Sequence, residues 1–205
     1  MSWWSSWPGQ QRALRHDPVQ PQAPGQQPRQ GGSGRQRGCA PAHPVRSRIH
    51  VRIAPVIVVA GGTGTLGSRL VPRLAEAGLA VRVLTRDLAR ARYLGPGVEV
   101  VRGDVRDAAS LGRALHGAGT VISAVHGFAG PGGVSPASVD RAGNANLIDA
   151  ASTAGAAFVL ISMVGASPGH PIGLFRAKHA AEEMLRASRV PWTIVRATAF
   201  MQTGP

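Results

Sequence analysis

Within the run Gly61-Gly62-Thr63-Gly64-Thr65-Leu66-Gly67, the glycines Gly62, Gly64 and Gly67 fit the spacing G-x-G-x-x-G. Such glycines serve a dinucleotide when they lie between a strand and a helix. One allows the tight turn, one lets the backbone approach a pyrophosphate, and one lets the helix pack closely on the strand. The helix expected to start near Thr65 then presents its free N–H groups and positive end to the phosphates. Eighteen residues after Gly67 stands Thr85, followed by Arg86. An acid at the end of the second strand would bind a ribose 2′-hydroxyl, whereas an arginine accommodates a 2′-phosphate. No carboxylate occupies that strand end, so Arg86 makes NADP(H) the expected cofactor over NAD(H). Asp87 is expected to cap a following helix, Leu88 to Tyr93; turned inward instead, it would select NAD.

These residues need a particular frame, and the pattern from Val56 onward supplies it. Val56 to Ala60 reads as a buried parallel strand, and Leu66 to Ala77 as a helix with Gly78 as its C-terminal stop. Further strands are expected at 81–85, 98–101, 120–125, 158–162 and 192–196, with helices at 108–115, 140–153 and 175–188. Repeated strand-helix units with short connections specify an α/β fold, a Rossmann-type doubly wound parallel sheet covered on both faces.

The chain of 205 residues carries 23 Lys+Arg against 10 Asp+Glu, a net charge of +13. Residues 1–54 hold eight arginines and one acid, Asp17, so more than half of that charge belongs to a Gln/Pro/Gly/Arg-rich tail. The tail shows no strand or helix period and is expected to be disordered. The abrupt start of the folded pattern at Val56 makes translation from near Val51 or Val56 the expected start, which would leave the tail outside the native product. Basicity without a helix-turn-helix, zinc finger or aromatic-basic motif does not make a nucleic-acid site. One cysteine, Cys39, excludes an intramolecular disulfide and a cysteine metal centre, and no metal site is expected. The longest apolar run, Val56 to Ala60, is far short of the roughly 18–20 residues that span a bilayer. The chain reads as a cytoplasmic protein.

GGTGTLG after the first strand, GDV at 103–105, VISAV at 121–125, ISMVGA at 161–166 and FRAKHAAEEMLRASRVPWTIVRATAF at 175–200 together resemble the NmrA-like branch of the atypical short-chain dehydrogenases/reductases. The resemblance covers residues 55–205. It implies an NAD(P)-binding domain with Gly61, Gly62, Thr63, Gly64, Thr65, Leu66 and Gly67 on the pyrophosphate and Arg86 near the adenosine phosphate. It further implies Asp104 and Val105 beside adenine, and Ser123, Ala124 and Val125 running toward nicotinamide.

Two departures bear on mechanism. Reductases of the wider superfamily use Ser-Tyr-x-x-x-Lys, in which tyrosine transfers the proton. Here Lys178 is present and Ser162 is a plausible partner, but Leu174 stands four before Lys178 and Phe175 follows it. Neither can donate a proton. Lys178, the only lysine, can still hydrogen-bond the nicotinamide ribose; the plainer alternative is a surface pair with Glu182 at i+4. His126 and His179 are the other groups able to supply a proton, unless they are simply solvated or packed. The second departure is that the family continues past the equivalent of Pro205 with a small region that closes over substrate, so much of the substrate pocket is expected to lie outside this sequence. The function expected is an NADPH-dependent oxidoreductase acting on a small-molecule quinone- or carbonyl-type acceptor. The alternatives are a non-catalytic NADP-sensing regulator or an inactive fragment.

Overall fold

The structure is a computed structural model that describes residues 55–128 and 132–198. The expectations for residues 1–54 lie outside the described residues. Six strands form one parallel sheet: β1 (Val56–Ala60), β2 (Val81–Thr85), β3 (Val98–Arg102), β4 (Ala118–Ser123), β5 (Ala157–Met163) and β6 (Trp192–Ala197). Their order is β3-β2-β1-β4-β5-β6, parallel throughout, so the order reverses between β1 and β4. This is the Rossmann arrangement, which opens a crevice at the carboxyl ends of the strands flanking the reversal.

Alternation along the strands divides the core between two faces. Val58, Ala60, Leu84, Val121, Phe158 and Leu160 pack with Leu111, Leu147, Ile148 and Leu185 of helices α2 (Ala108–Ala114), α3 (Asn144–Ala154) and α4 (Gly173–Ala187). Val59, Val81, Val83 and Ile122 face the other way, onto Val71 of α1 (Gly67–Glu76). α1 ends as expected: Gly78 takes φ +76°, and its N–H donates to Ala75 O.

Three elements differ from the sequence pattern. The helix expected at 88–93 is a single 3-10 turn, Leu88–Ala91, because the chain must reach Gly95-Pro96-Gly97 before β3. Its cap is as expected: Asp87 accepts from the Ala89 N–H at 2.9 Å. The strand expected at 120–125 occupies Ala118–Ser123; Ala124 N still donates to Ala60 O, and the chain then turns away toward the crevice. The helix expected from Asp140 starts earlier, as a π-helical segment Pro136–Gly143 that runs directly into α3. Ser135 caps it and Pro136 opens it, and Gly143 lets it press on Val105, where a Cβ would sit 2.6 Å from Val105 Cγ2. π segments of this kind concentrate at functional sites. No helix among the described residues is long and apolar enough to cross a membrane.

Candidate functional site

The carboxyl ends of the strands and the loops after them line a cavity of 970 Å³, the upper end of the range for small-ligand sites, roughly 300–1,000 Å³. It runs from Arg86, Asp87, Arg90, Asp104 and Val105 at one end, past Gly61, Thr63, Gly64, Thr65 and Leu66, to His126, Ile161, Ser162, Met163, Lys178, Ala197 and Thr198 at the other.

The glycine turn is built as a cradle. Gly61 adopts φ +85° and lies so close to β4 that a Cβ would stand 2.5 Å from Ala124 O. A Cβ on Gly67 would collide with Gly61 O, and one on Gly62 would meet Val83 Cγ1 at 2.8 Å. Gly64 is different, since its Cβ position meets only Gly61 O at 3.2 Å and otherwise faces open space. The tight turn therefore falls on Gly61, one residue before the position the G-x-G-x-x-G spacing gives it, while Gly67 is the close-packing residue and Gly64 the exposed backbone. Gly62 and Gly67 support the cradle from behind and do not line the cavity. A pyrophosphate fits here, because the site offers backbone without side chains at the opening end of α1.

At the Arg86 end, Asp87 caps the following turn with its Oδ1, and the exposed Arg86 and Asp87 side chains both border the cavity. Arg90, which the sequence reading does not single out, reaches the same wall; its Nη2 donates to Thr63 O at 3.4 Å. The Tyr93 hydroxyl lies 3.4 Å from Gly62 O, behind the turn and away from Lys178. Burial raises its pKa, and the charge of Arg90 opposes the shift. Asp104 lines the cavity, but Arg106 engages both its oxygens, with Nη2 at 2.6 Å. That hydrogen bonding outweighs burial and holds the Asp104 carboxyl below the usual carboxylate range.

At the far end, Ala124 and Val125 line the cavity, but Ser123 does not: it is fully buried, and its hydroxyl donates to Asn144 Oδ1 at 2.5 Å. The Ser162 hydroxyl donates to Glu182 Oε1 at 2.6 Å. Lys178 is 5% exposed, so it is not the surface partner of Glu182. Its Nζ donates to Val125 O at 2.9 Å and Ile161 O at 3.1 Å and pairs with Asp140 Oδ1 at 3.0 Å. Leu174 is buried and Phe175 stacks on His170 with centroids 3.8 Å apart, so neither position brings a proton donor to the site. His126 is exposed, borders the cavity and stacks on Phe128; His179 does not line it.

A parallel sheet with this reversal, a side-chain-free cradle at the start of α1 and a cavity along the strand ends together define a dinucleotide-binding domain. The chain belongs to the NAD(P)H-binding family, which matches residues 61–205, and its domain is of the atypical short-chain dehydrogenase/reductase, NmrA-like type. It is 37% identical over 150 residues to the NAD(P)H azoreductase of Xenophilus azovorans, covering 72% of this chain and 49% of the azoreductase. It is 36% identical over 148 residues to a (4-alkanoyl-5-oxo-2,5-dihydrofuran-3-yl)methyl phosphate reductase of Streptomyces griseus, covering 71% of this chain and 48% of that protein. Among solved structures, the Escherichia coli NADPH-dependent quinone oxidoreductase QOR2 in complex with NADPH superposes with a TM-score of 0.58 at 27% identity, over 68% of this chain and 48% of that one. The chain thus spans about half the length of these relatives.

Proposed function

We propose that this domain binds NADPH in preference to NADH and serves an oxidoreductase that reduces a small quinone- or carbonyl-type acceptor. The observation that carries the cofactor choice is the end of β2. Arg86 borders the cavity and Arg90 stands beside it, while the nearby carboxylate, Asp87, is committed to the Ala89 N–H. Two guanidinium groups suit a 2′-phosphate, and the one acid beside them already holds the cap of the following turn with its Oδ1. When bound, the nicotinamide supplies the hydride; the protein's part is to hold and orient it. In that role the backbone from Gly61 to Leu66 receives the pyrophosphate, Val105 and Asp104 flank the adenine, and Ala124 and Val125 continue toward the nicotinamide. Ser162, also in the wall, points its hydroxyl proton at Glu182, so its free lone pairs are what it offers a bound molecule. The azoreductase and quinone oxidoreductase likenesses support an acceptor whose reduction needs no tyrosine acid. A cytoplasmic location belongs to the same reading.

The missing proton donor at positions 174 and 175 favours a second reading, a regulator that binds NADP and reports it to a partner without turnover. Titration of the protein with NADPH and NADH, followed by NADPH oxidation with a panel of quinones and aldehydes, separates the two. Turnover supports the enzyme; tight binding without turnover supports the regulator. In the same titration, Arg86→Ala is expected to weaken NADPH binding by about 10- to 100-fold, roughly 1.4–2.8 kcal/mol. Arg90→Ala should weaken it less, and NADH should be almost unaffected by either. Equal losses for both nucleotides would refute the assignment of these arginines to the 2′-phosphate.

A further inference from the structure

The Arg106 guanidinium serves two segments that meet beside the cavity. Its Nε lies 3.1 Å from Asp104 Oδ1 and 3.0 Å from Oδ2, and its Nη2 lies 2.6 Å from Oδ2. The Arg106 backbone N–H adds a bond to Oδ1 at 2.9 Å. Three donors thus hold a carboxylate that has about four acceptor sites, and room remains for a further donor. The third guanidinium nitrogen turns the other way: Nη1 donates to Gly132 O at 2.5 Å, on the chain that leads from β4 to the π-helical segment. That chain doubles back through two left-handed residues, Gly132 at φ +69° and Gly133 at φ +74°, which brings the carbonyl round to the guanidinium. Ser138 Oγ holds the next carbonyl, Gly133 O, at 2.7 Å. Beyond these two pins, Val134 packs against the buried cluster that includes Leu84, Val105 and Val139, and all four residues line the cavity. Arg106 itself does not line it.

We propose that Arg106 is a positioning residue for recognition of the nucleobase: it fixes the Asp104 carboxylate with an acceptor site open to a ring amino group and, through Gly132 O, seats Val134 as a wall of the same slot. The proposal rests on nucleotide binding in this cavity with the base beside Asp104 and Val105. A purine with a 6-amino group donates to the open site. A 6-oxo purine sets a carbonyl oxygen against the carboxylate, two acceptors with no proton between them. A carboxylate free to turn would swing away from such a base or accept from its ring N–H; one held by a planar fork keeps its direction. The same hydrogen bonds, helped by the charge of Arg86, keep Asp104 ionised and so acceptor-only. Lysine could not replace Arg106, because a single ammonium cannot span both Asp104 oxygens and Gly132 O. Both walls are set before a nucleotide arrives, which lowers the ordering cost of binding.

The test compares NADPH with its hypoxanthine counterpart, in which a carbonyl replaces the adenine amino group. Wild type should bind NADPH at least about tenfold more tightly than the analogue. In Arg106→Met, NADPH should weaken by about tenfold and the analogue much less, so that the preference falls to about threefold or below. Lost packing alone would weaken both nucleotides alike and keep the preference. Two further readouts need no nucleotide. By 13C NMR, the Asp104 carboxyl of Arg106→Met should titrate nearer the ordinary carboxylate range than it does in wild type, and the Val134 methyl signals should shift. A variant that keeps the wild-type preference overturns the proposal, as does an Asp104 titration or a Val134 signal that does not move. So does a wild type that binds both nucleotides equally, since the base would then not meet Asp104. If Arg106→Met does not fold, Arg106→Lys decides: it keeps the charge but loses the fork, and a wild-type preference retained there overturns the proposal. A wild type that binds neither nucleotide would sink the proposed function, and the carboxyl and methyl signals would still decide whether Arg106 sets Asp104 and Val134.

Discussion

Gly67→Ala is expected to abolish measurable NADPH binding and to cost the domain about 3 kcal/mol, a fall of roughly 8 °C in melting temperature for a domain of this size. The added Cβ would collide with Gly61 O and with Gly62 Cα and C, all backbone atoms of the turn itself. No flexible side chain is available to move aside, so either α1 lifts from the sheet or the turn opens. Opening the turn is resisted from the other side, where Gly61 sits at φ +85° with Ala124 O behind it. Either response displaces the backbone N–H groups meant for the pyrophosphate. Two control substitutions separate these causes. Gly64→Ala meets only one atom at 3.2 Å, so it should barely change the melting temperature while still weakening NADPH binding. Gly78→Ala has open space and only its φ of +76° against it, so it should cost about 1 kcal/mol and leave binding alone. A Gly67→Ala protein as stable as wild type would mean that α1 is not seated as described.

The glycine run also shows what the sequence could and could not reveal. Strand, turn and helix follow from periodicity, and so does the placing of the cradle, because alternating units with short connections allow few topologies. Which glycine bears the positive φ does not follow, since G-x-G-x-x-G can be laid on a run with four glycines in more than one register. The cap by Asp87 was legible, as Ser/Thr/Asn/Asp before a helical turn is a local signal. Arg90 was not, because a helix over 88–93 would have set its direction differently from the 3-10 turn actually formed. The Lys178–Asp140 pair spans 38 positions in sequence, and no local pattern links a lysine on α4 to an acid on a π-helical segment whose geometry the apolar period does not distinguish from α. The resemblance implies Ser123 along the cofactor, but strand alternation at the end of β4 turns its side chain into the core against Asn144.

Glu182 is the other residue whose importance lies wholly in long-range contacts. It is fully buried on α4 and accepts from Ser162 Oγ on β5, from Arg196 Nε and Nη2 on β6 at 2.9 and 2.6 Å, and from Arg186 Nη2 at 2.9 Å. Burial alone would raise its pKa, but the hydrogen bonds from Arg196, Ser162 and Arg186 outweigh it and lower the value from 4.5 to about 2. β6 needs this anchor, since it is an edge strand among the described residues and its Trp192 and Val195 are a little under half exposed. A carboxyl whose folded pKa is depressed gives stability that is complete above its unfolded value and is lost as pH falls through the folded one. The wild type should therefore lose up to about 3 kcal/mol from this group between pH 4.5 and about 2, less in salt because Arg186 and Arg196 are over a third exposed. Glu182→Gln should be less stable than wild type at pH 6, by about 2–4 kcal/mol, with a flatter decline toward acid. Urea unfolding of both proteins at pH 6 and pH 3 measures the two quantities. If the variant declines with acid as steeply as the wild type, another carboxylate governs the acid limb, and Asp104, held low by Arg106, is the next to test.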